Sequence, residues 1–188
     1  MNTPASSFHP LARLLHWTMA AMVVAMLFVG AGMVASVSAR HAWLLAIHKP
    51  LGIAILLLAI ARLAVRLRHR PPPLPRDLPA WQSLAARASH WLLYGLMLAL
   101  PLIGWAMLSA GGYPVMLGTD FRLPALLPED ALLFAWLRQA HRYLAWLLFV
   151  TFVAHVAAAL YHRLIRRDGV LAAMLSGRRR KARAAMDG

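Results

Sequence analysis

Residues 141–162 read HRYLAWLLFVTFVAHVAAALYH. Between Tyr143 and Tyr161 there is no Lys, Arg, Asp or Glu. Such a run is close to the roughly 20 apolar residues that carry a helix across a bilayer. A single imidazole, His155, interrupts it, and His141 and His162 bracket it. At about 100° and 1.5 Å per residue, His141 and His155 differ by about 40° in direction and about 21 Å along the axis. One apolar helix therefore presents imidazoles at two depths on nearly one face. His162, seven residues on, continues that face about two turns further.

Three more apolar runs lie upstream. Leu14–Ala39 carries no charged residue. A second runs from Trp43 to about Leu67 and places Arg62 inside the membrane or snorkelling to its edge. Ala88–Ser109 holds Pro101 and Gly104, and proline is tolerated in membrane helices. The fourth run extends back to Pro128-Glu129-Asp130, where proline and acidic residues mark a helix N-terminus. The expected fold class is all-α, an integral membrane four-helix bundle with helices at 14–37, 43–67, 86–109 and 130–166. A single domain spans 1–188, ending in a basic cytoplasmic tail over 168–188.

Composition agrees. Of 188 residues, 61% are hydrophobic and 14% charged, against about a quarter charged in soluble domains. The net charge of +14 would suit nucleic acid, but the basic residues avoid the four apolar runs and gather between and after them. They follow a membrane topology instead. The segments on the side of the termini hold 15 Lys+Arg; Arg40, Lys49, Arg122, Arg138 and Arg142 fall on the other. By the positive-inside rule both termini of this multi-pass membrane protein are cytoplasmic. Pro71–Pro79 is then a stiff connector, and Arg178–Arg183 a headgroup anchor. Arg13, the first apolar run and Ala35–Ala39 loosely match a secretory signal, yet the run is longer than a signal's roughly 7–15 residues. A retained helix is expected.

Cysteine is absent, which removes disulfides, thiolate metal sites, iron–sulfur ligation and covalent haem attachment. Histidine carries the chemistry. Six of the nine fall in or at the ends of the runs: His16, His48, His90, His141, His155 and His162. Intramembrane ionisable groups are costly and point to function. His48 is expected level with His141 at the outer side, and His16 level with His155 at the inner side. Two imidazoles facing each other across a bundle suit a haem b. A divalent metal would want three or four ligands at one depth. Gly30, 14 residues after His16, would leave room for a porphyrin, and Gly52 lies one turn after His48. Arg62, 14 residues after His48, is a propionate partner at the inner haem's depth or an interfacial anchor.

These residues resemble the bacterial cytochrome b561 family, related to the cytochrome b subunits of nickel hydrogenase and formate dehydrogenase. The matching strings are Arg13-Leu-Leu-His16-Trp17, His48-Lys49-Pro-Leu-Gly52, His90-Trp-Leu-Leu-Tyr94, Pro101-Leu-Ile-Gly104-Trp105, and His141 with His155 and His162 before Arg167-Asp168-Gly169. They occur in family order over nearly the whole chain. The resemblance implies two b haems with axial ligands His16, His48, His141 and His155, leaving His90 unligated, and exchange with a membrane quinone at His162. The superoxide oxidase branch is the nearest in length; its members pass electrons from superoxide at the outer haem to ubiquinone near the inner one. Lys49 and Arg142, directly after outer histidines, would steer superoxide. Two other readings use the same residues: an electron-transfer subunit for a separate periplasmic redox partner, and a histidine-lined metal or proton transporter. The partners expected are lipid, quinone and superoxide, with no nucleic acid.

Overall fold

A computed structural model describes residues 8–35, 37–69, 72, 78–118, 120–168 and 170–175. Four long helices dominate it: α1 (Pro10–Val34), α2 (Ala39–Arg68), α3 (Ala80–Ala110) and α4 (Ala131–Tyr161). All four are long and apolar enough to cross a membrane. The first three begin four to six residues before the limits that hydropathy sets, because caps and not apolarity decide where a helix starts, while the fourth begins within one residue of the expected position. In α1, Pro10 occupies the first turn and His9 Nδ1 accepts from the Leu11 N–H at 3.3 Å. Ser38 Oγ accepts from the Arg40 N–H at the start of α2 (3.3 Å), and Asp130 Oδ1 from the Leu133 N–H at the start of α4 (2.9 Å). His48 consequently lies more than two turns inside α2. Pro50 and Pro101 both sit within unbroken helices.

The connection from α3 to α4 is folded, a detail hydropathy does not reach. Met116–Leu117 (β1) pairs antiparallel with Phe121–Arg122 (β2), and Gly118 turns between them at φ +74°. Trp105 Nε1 donates to the Pro124 carbonyl (3.0 Å), and the Leu126 N–H donates to Ser109 Oγ (3.0 Å). These bonds fasten the hairpin to the end of α3. We call this the distal end of the bundle; the opposite end, with the starts of α1 and α3, is proximal.

At the proximal end α4 runs into a π-helical turn, His162–Arg166, and then α5 (Val170–Leu175). Arg167 between them is left-handed at φ 55°. Arg13 donates to the carbonyls of Met174 (3.2 Å) and Leu175, and Trp17 Nε1 also reaches Met174 O (3.2 Å). Carbonyls at a helix C-terminus lack intrahelical partners, and a guanidinium there satisfies them and opposes the dipole. So the start of the expected tail is a docked helix. Most of the Pro71–Pro79 connector and the whole Arg178–Arg183 cluster lie outside the described residues.

Packing is uneven. α1 lies along α2, α3 lies along α4, and α2 joins the two hairpins through α3. α4 stands apart from α1 and α2: their backbones come within 8 Å at isolated points at most. The main buried cluster, Met19, Val23, Ile55, Ala59, Tyr94 and Met97, joins α1, α2 and α3, and from α4 only Phe152 packs against it. Outward the spans are bare, with between 11% and 28% of each apolar window buried. Phe28, Leu57 and Val150 are 60–76% exposed. Apolar surface on that scale needs lipid around it.

Candidate functional site

The gap between α4 and the α1–α2 hairpin is bridged by imidazoles at two depths. Near the proximal end the rings of His16 (α1) and His155 (α4) are 6.4 Å apart between centroids, inclined at 64°. Toward the distal end His48 (α2) and His141 (α4) are 6.1 Å apart, also at 64°. The structure thus brings together the two pairs that helical spacing suggests. Each helix contributes its ring from a regular α-helical segment, so backbone geometry holds the pair apart.

Those separations have chemical content. Metal–imidazole bonds of about 2.0 Å on either side of one ion, plus about 1.1 Å from each nitrogen to its ring centre, give about 6.2 Å between centroids. Both pairs match within a few tenths of an ångström. Nδ1 of His16 and of His48 is buried without a hydrogen-bond partner, and such a nitrogen is costly. Donor type and spacing fit a group inserted between each pair.

His90 on α3 sits in the same layer, with its ring 5.2 Å from that of His155. This is about 1 Å short of the 6.2 Å that an intervening ion requires. Its Nδ1 is engaged by the Ala86 carbonyl at 2.5 Å, a bond in which Nδ1–H donates. The geometry therefore favours His16 over His90 as the partner of His155. Among the described residues, no three or more His, Cys, Asp or Glu are grouped to hold a metal ion, as a four-coordinate site would require.

Around the pairs, the glycines differ. A Cβ on Gly30 would meet nothing within 4 Å, whereas one on Gly52 would lie 3.7 Å from Met26 Cε, so that side of Gly52 faces α1. Gly104 is the glycine that sequence reasoning leaves out of the site. A Cβ there would stand 3.2 Å from Cε1 of His141, so the imidazole lies against bare backbone. Its place in the Pro101–Trp105 string was the available signal. Arg62 is close enough to His16 and His155 to act on both electrostatically, and its guanidinium lies 5.3 Å from the centre of the Tyr94 ring. Lys49 is half-buried and Arg142 exposed; as helical neighbours of His48 and His141 they point about 100° away from those rings.

His162 opens the π-helical turn. Its Nδ1 is 2.5 Å from Asp168 Oδ2, and the same carboxylate oxygen accepts from Arg166 Nε at 3.3 Å. Asp168 Oδ1 takes the Val170 N–H at 3.2 Å and so caps α5. The π-turn and the left-handed Arg167 fold the chain back far enough for residue 168 to reach the ring of residue 162.

Comparison with known proteins now bears on this arrangement. A family model described as prokaryotic cytochrome b561 matches residues 7–177. This chain belongs to the prokaryotic cytochrome b561 family. Cytochrome b561 homolog 2 of Escherichia coli (strain K12) is 33% identical over 178 residues, 93% of each chain. Homolog 1 of the same organism is 32% identical over 133 residues, 70% of this chain and 74% of the relative. The probable superoxide oxidase CybB of Yersinia pestis is 33% identical over 138 residues, 73% and 77% of the two chains. As a cytochrome b561 with four membrane-length helices, the protein is a multi-pass bacterial membrane protein of electron transport, and the family implies haem b.

Proposed function

We propose that the protein binds two b haems and is a superoxide:ubiquinone oxidoreductase of the bacterial inner membrane, with both termini cytoplasmic. His48 and His141 would hold one haem on the distal, periplasmic side, and His16 and His155 the other on the proximal side. The observation that carries this is the pair of imidazole bridges, 6.1 and 6.4 Å across, at two depths of a gap the helix backbones leave open. The substrate reading draws support from the name of the Yersinia relative and from the cations at the distal end.

When bound, the two haems supply the one-electron chemistry between superoxide outside and quinone inside. The balance is two superoxide, one ubiquinone and two protons giving two dioxygen and one ubiquinol. The chain's own residues do the rest. His16, His48, His141 and His155 would hold the haem irons, and Gly30 and Gly104 keep side chains out of the space around them. Arg62 supplies a cation for a propionate. Lys49 and Arg142 present positive charge at the distal rim. His162, held through Nδ1 by Asp168, is the hydrogen-bond and proton donor to the quinone.

Stopped-flow mixing of the purified protein with superoxide and ubiquinone tests the reading; haem reduction followed by ubiquinol formation is expected. A protein that ignores superoxide, yet passes electrons from a chemical reductant to ubiquinone, would instead be an electron-transfer subunit. Replacing both Lys49 and Arg142 by Gln should slow haem reduction by superoxide several-fold at low salt and flatten its salt dependence, with haem content intact. Clefts of one sign raise the on-rate of an opposite ion only while salt leaves them unscreened. An unchanged low-salt rate would remove both residues from the entry path. Gly104→Val should displace the His141 ring and weaken the distal haem alone, read as loss of part of the b-type absorbance. Retention of the full spectrum would show that the ring gives way freely.

A further inference from the structure

Arg62 and Arg66 stand one turn apart on α2, both half-buried, and both share one aromatic ring. Their guanidinium carbons lie 5.3 and 5.5 Å from the centre of Tyr94, and Arg66 is also 5.7 Å from that of Trp91. Like charges at i and i+4 repel, and a cation withdrawn from water needs a counter-charge. A tyrosine ring holds the two in place but brings no net charge. Among the described residues no carboxylate meets them: Asp120, Glu129 and Asp130 belong to the distal connection, and Asp168 holds His162 and Arg166. Even with Arg62 turned to a haem propionate, as in the proposed function, Arg66 is left to meet an anion that no described carboxylate supplies.

A cavity of about 40 Å³ opens beside them at the proximal end, lined by both arginines, Tyr94, His9, His69 and Met174 among others. The rings of His9 and His69 stack at 4.2 Å, joining the start of α1 to the end of α2. Because His9 Nδ1 accepts the Leu11 N–H, its hydrogen sits on Nε2, which is a donor. Paired guanidinium forks lining such a cavity suit a phosphodiester's free oxygens. The cavity also lies where α2 leaves the apolar layer, the level of lipid phosphates, and basic pockets between membrane helices take anionic headgroups.

We propose that this cavity binds a phosphate group, supplied by an anionic membrane phospholipid, with Arg66 and His9 as donors and Arg62 shared with the interior. The occupant would tie α1, α2, α3 and α5 together at the proximal end. This goes beyond the redox reading and does not depend on it. The test uses the purified full chain in nanodiscs of phosphatidylcholine with or without phosphatidylglycerol, following thermal melting and retained lipid by native mass spectrometry. Phosphatidylglycerol is expected to raise the melting temperature and to remain bound after gentle detergent washing. Arg66→Gln should abolish both effects while leaving the haem spectrum unchanged. His9→Asn, which keeps a good helix cap and removes the Nε2 donor, should reduce both and covers a failure of the first variant to fold. Inorganic phosphate reproducing the shift in detergent would keep the phosphate chemistry and overturn the lipid as its source. Retention equal to wild type in both variants would overturn the site. Loss of haem absorbance in Arg66→Gln with lipid still bound would assign Arg66 to a propionate alongside Arg62 and overturn it equally.

Discussion

His155→Ala is expected to lose the proximal haem and keep the distal one, so that haem content falls from two per chain to one. Because the distal pair lies about 21 Å further along α4, its own ligation is untouched. What the variant forfeits is the path: electrons taken up at the periplasmic side have no second centre, and superoxide-driven ubiquinone reduction should fall to background. The informative control is His90→Ala. Its ring is nearer to His155 than that of His16, yet its 5.2 Å separation is too short to admit an ion and its Nδ1 is tied to Ala86. Haem content and redox spectrum should therefore survive in His90→Ala and not in His16→Ala. Pyridine haemochrome quantification of the three variants decides the matter. Loss of a haem from His90→Ala with retention in His16→Ala would exchange the two roles.

The four spans were legible because membrane insertion imposes a length and a composition that few other segments meet; the start of α4 was marked by Pro128-Glu129-Asp130, whereas the start of α2 was not, because the Ser38 cap acts locally. Helical arithmetic brought His141 and His155 to one face and paired them with His48 and His16; the structure reproduces both pairings. Three features of the site were beyond that arithmetic. The support of His141 by Gly104 depends on how α3 packs on α4, which no periodicity states. Arg62 and Arg66 share Tyr94 across two helices, again a matter of packing. The contact between His162 and Asp168 needs a π-turn and one left-handed residue, a local departure from 3.6 residues per turn. A straight helix would carry residue 168 about 9 Å along the axis from residue 162.

That departure shapes the second large effect. Asp168 receives His162 Nδ1, so the imidazole is oriented by a carboxylate that is itself anchored by Arg166 and by the cap it provides to α5. An imidazole held in this way keeps its hydrogen on Nδ1 and presents Nε2 outward; once protonated there, it can hand the proton to a reduced quinone oxygen while the carboxylate stabilises the charge. His162→Ala should keep both haems and their reduction by superoxide. Reoxidation by ubiquinone should slow by about 10²-fold, the lower range for loss of a positioned acid or base. Asp168→Asn should keep haem content too, since residue 168 touches neither pair. It should slow reoxidation less than the alanine variant, because an amide still orients the ring but cannot stabilise its charge. The measurement is the reoxidation rate of pre-reduced protein mixed with ubiquinone. Wild-type rates in His162→Ala would move quinone reduction to another part of the proximal end, and wild-type rates in Asp168→Asn would leave the carboxylate as a cap for α5 alone.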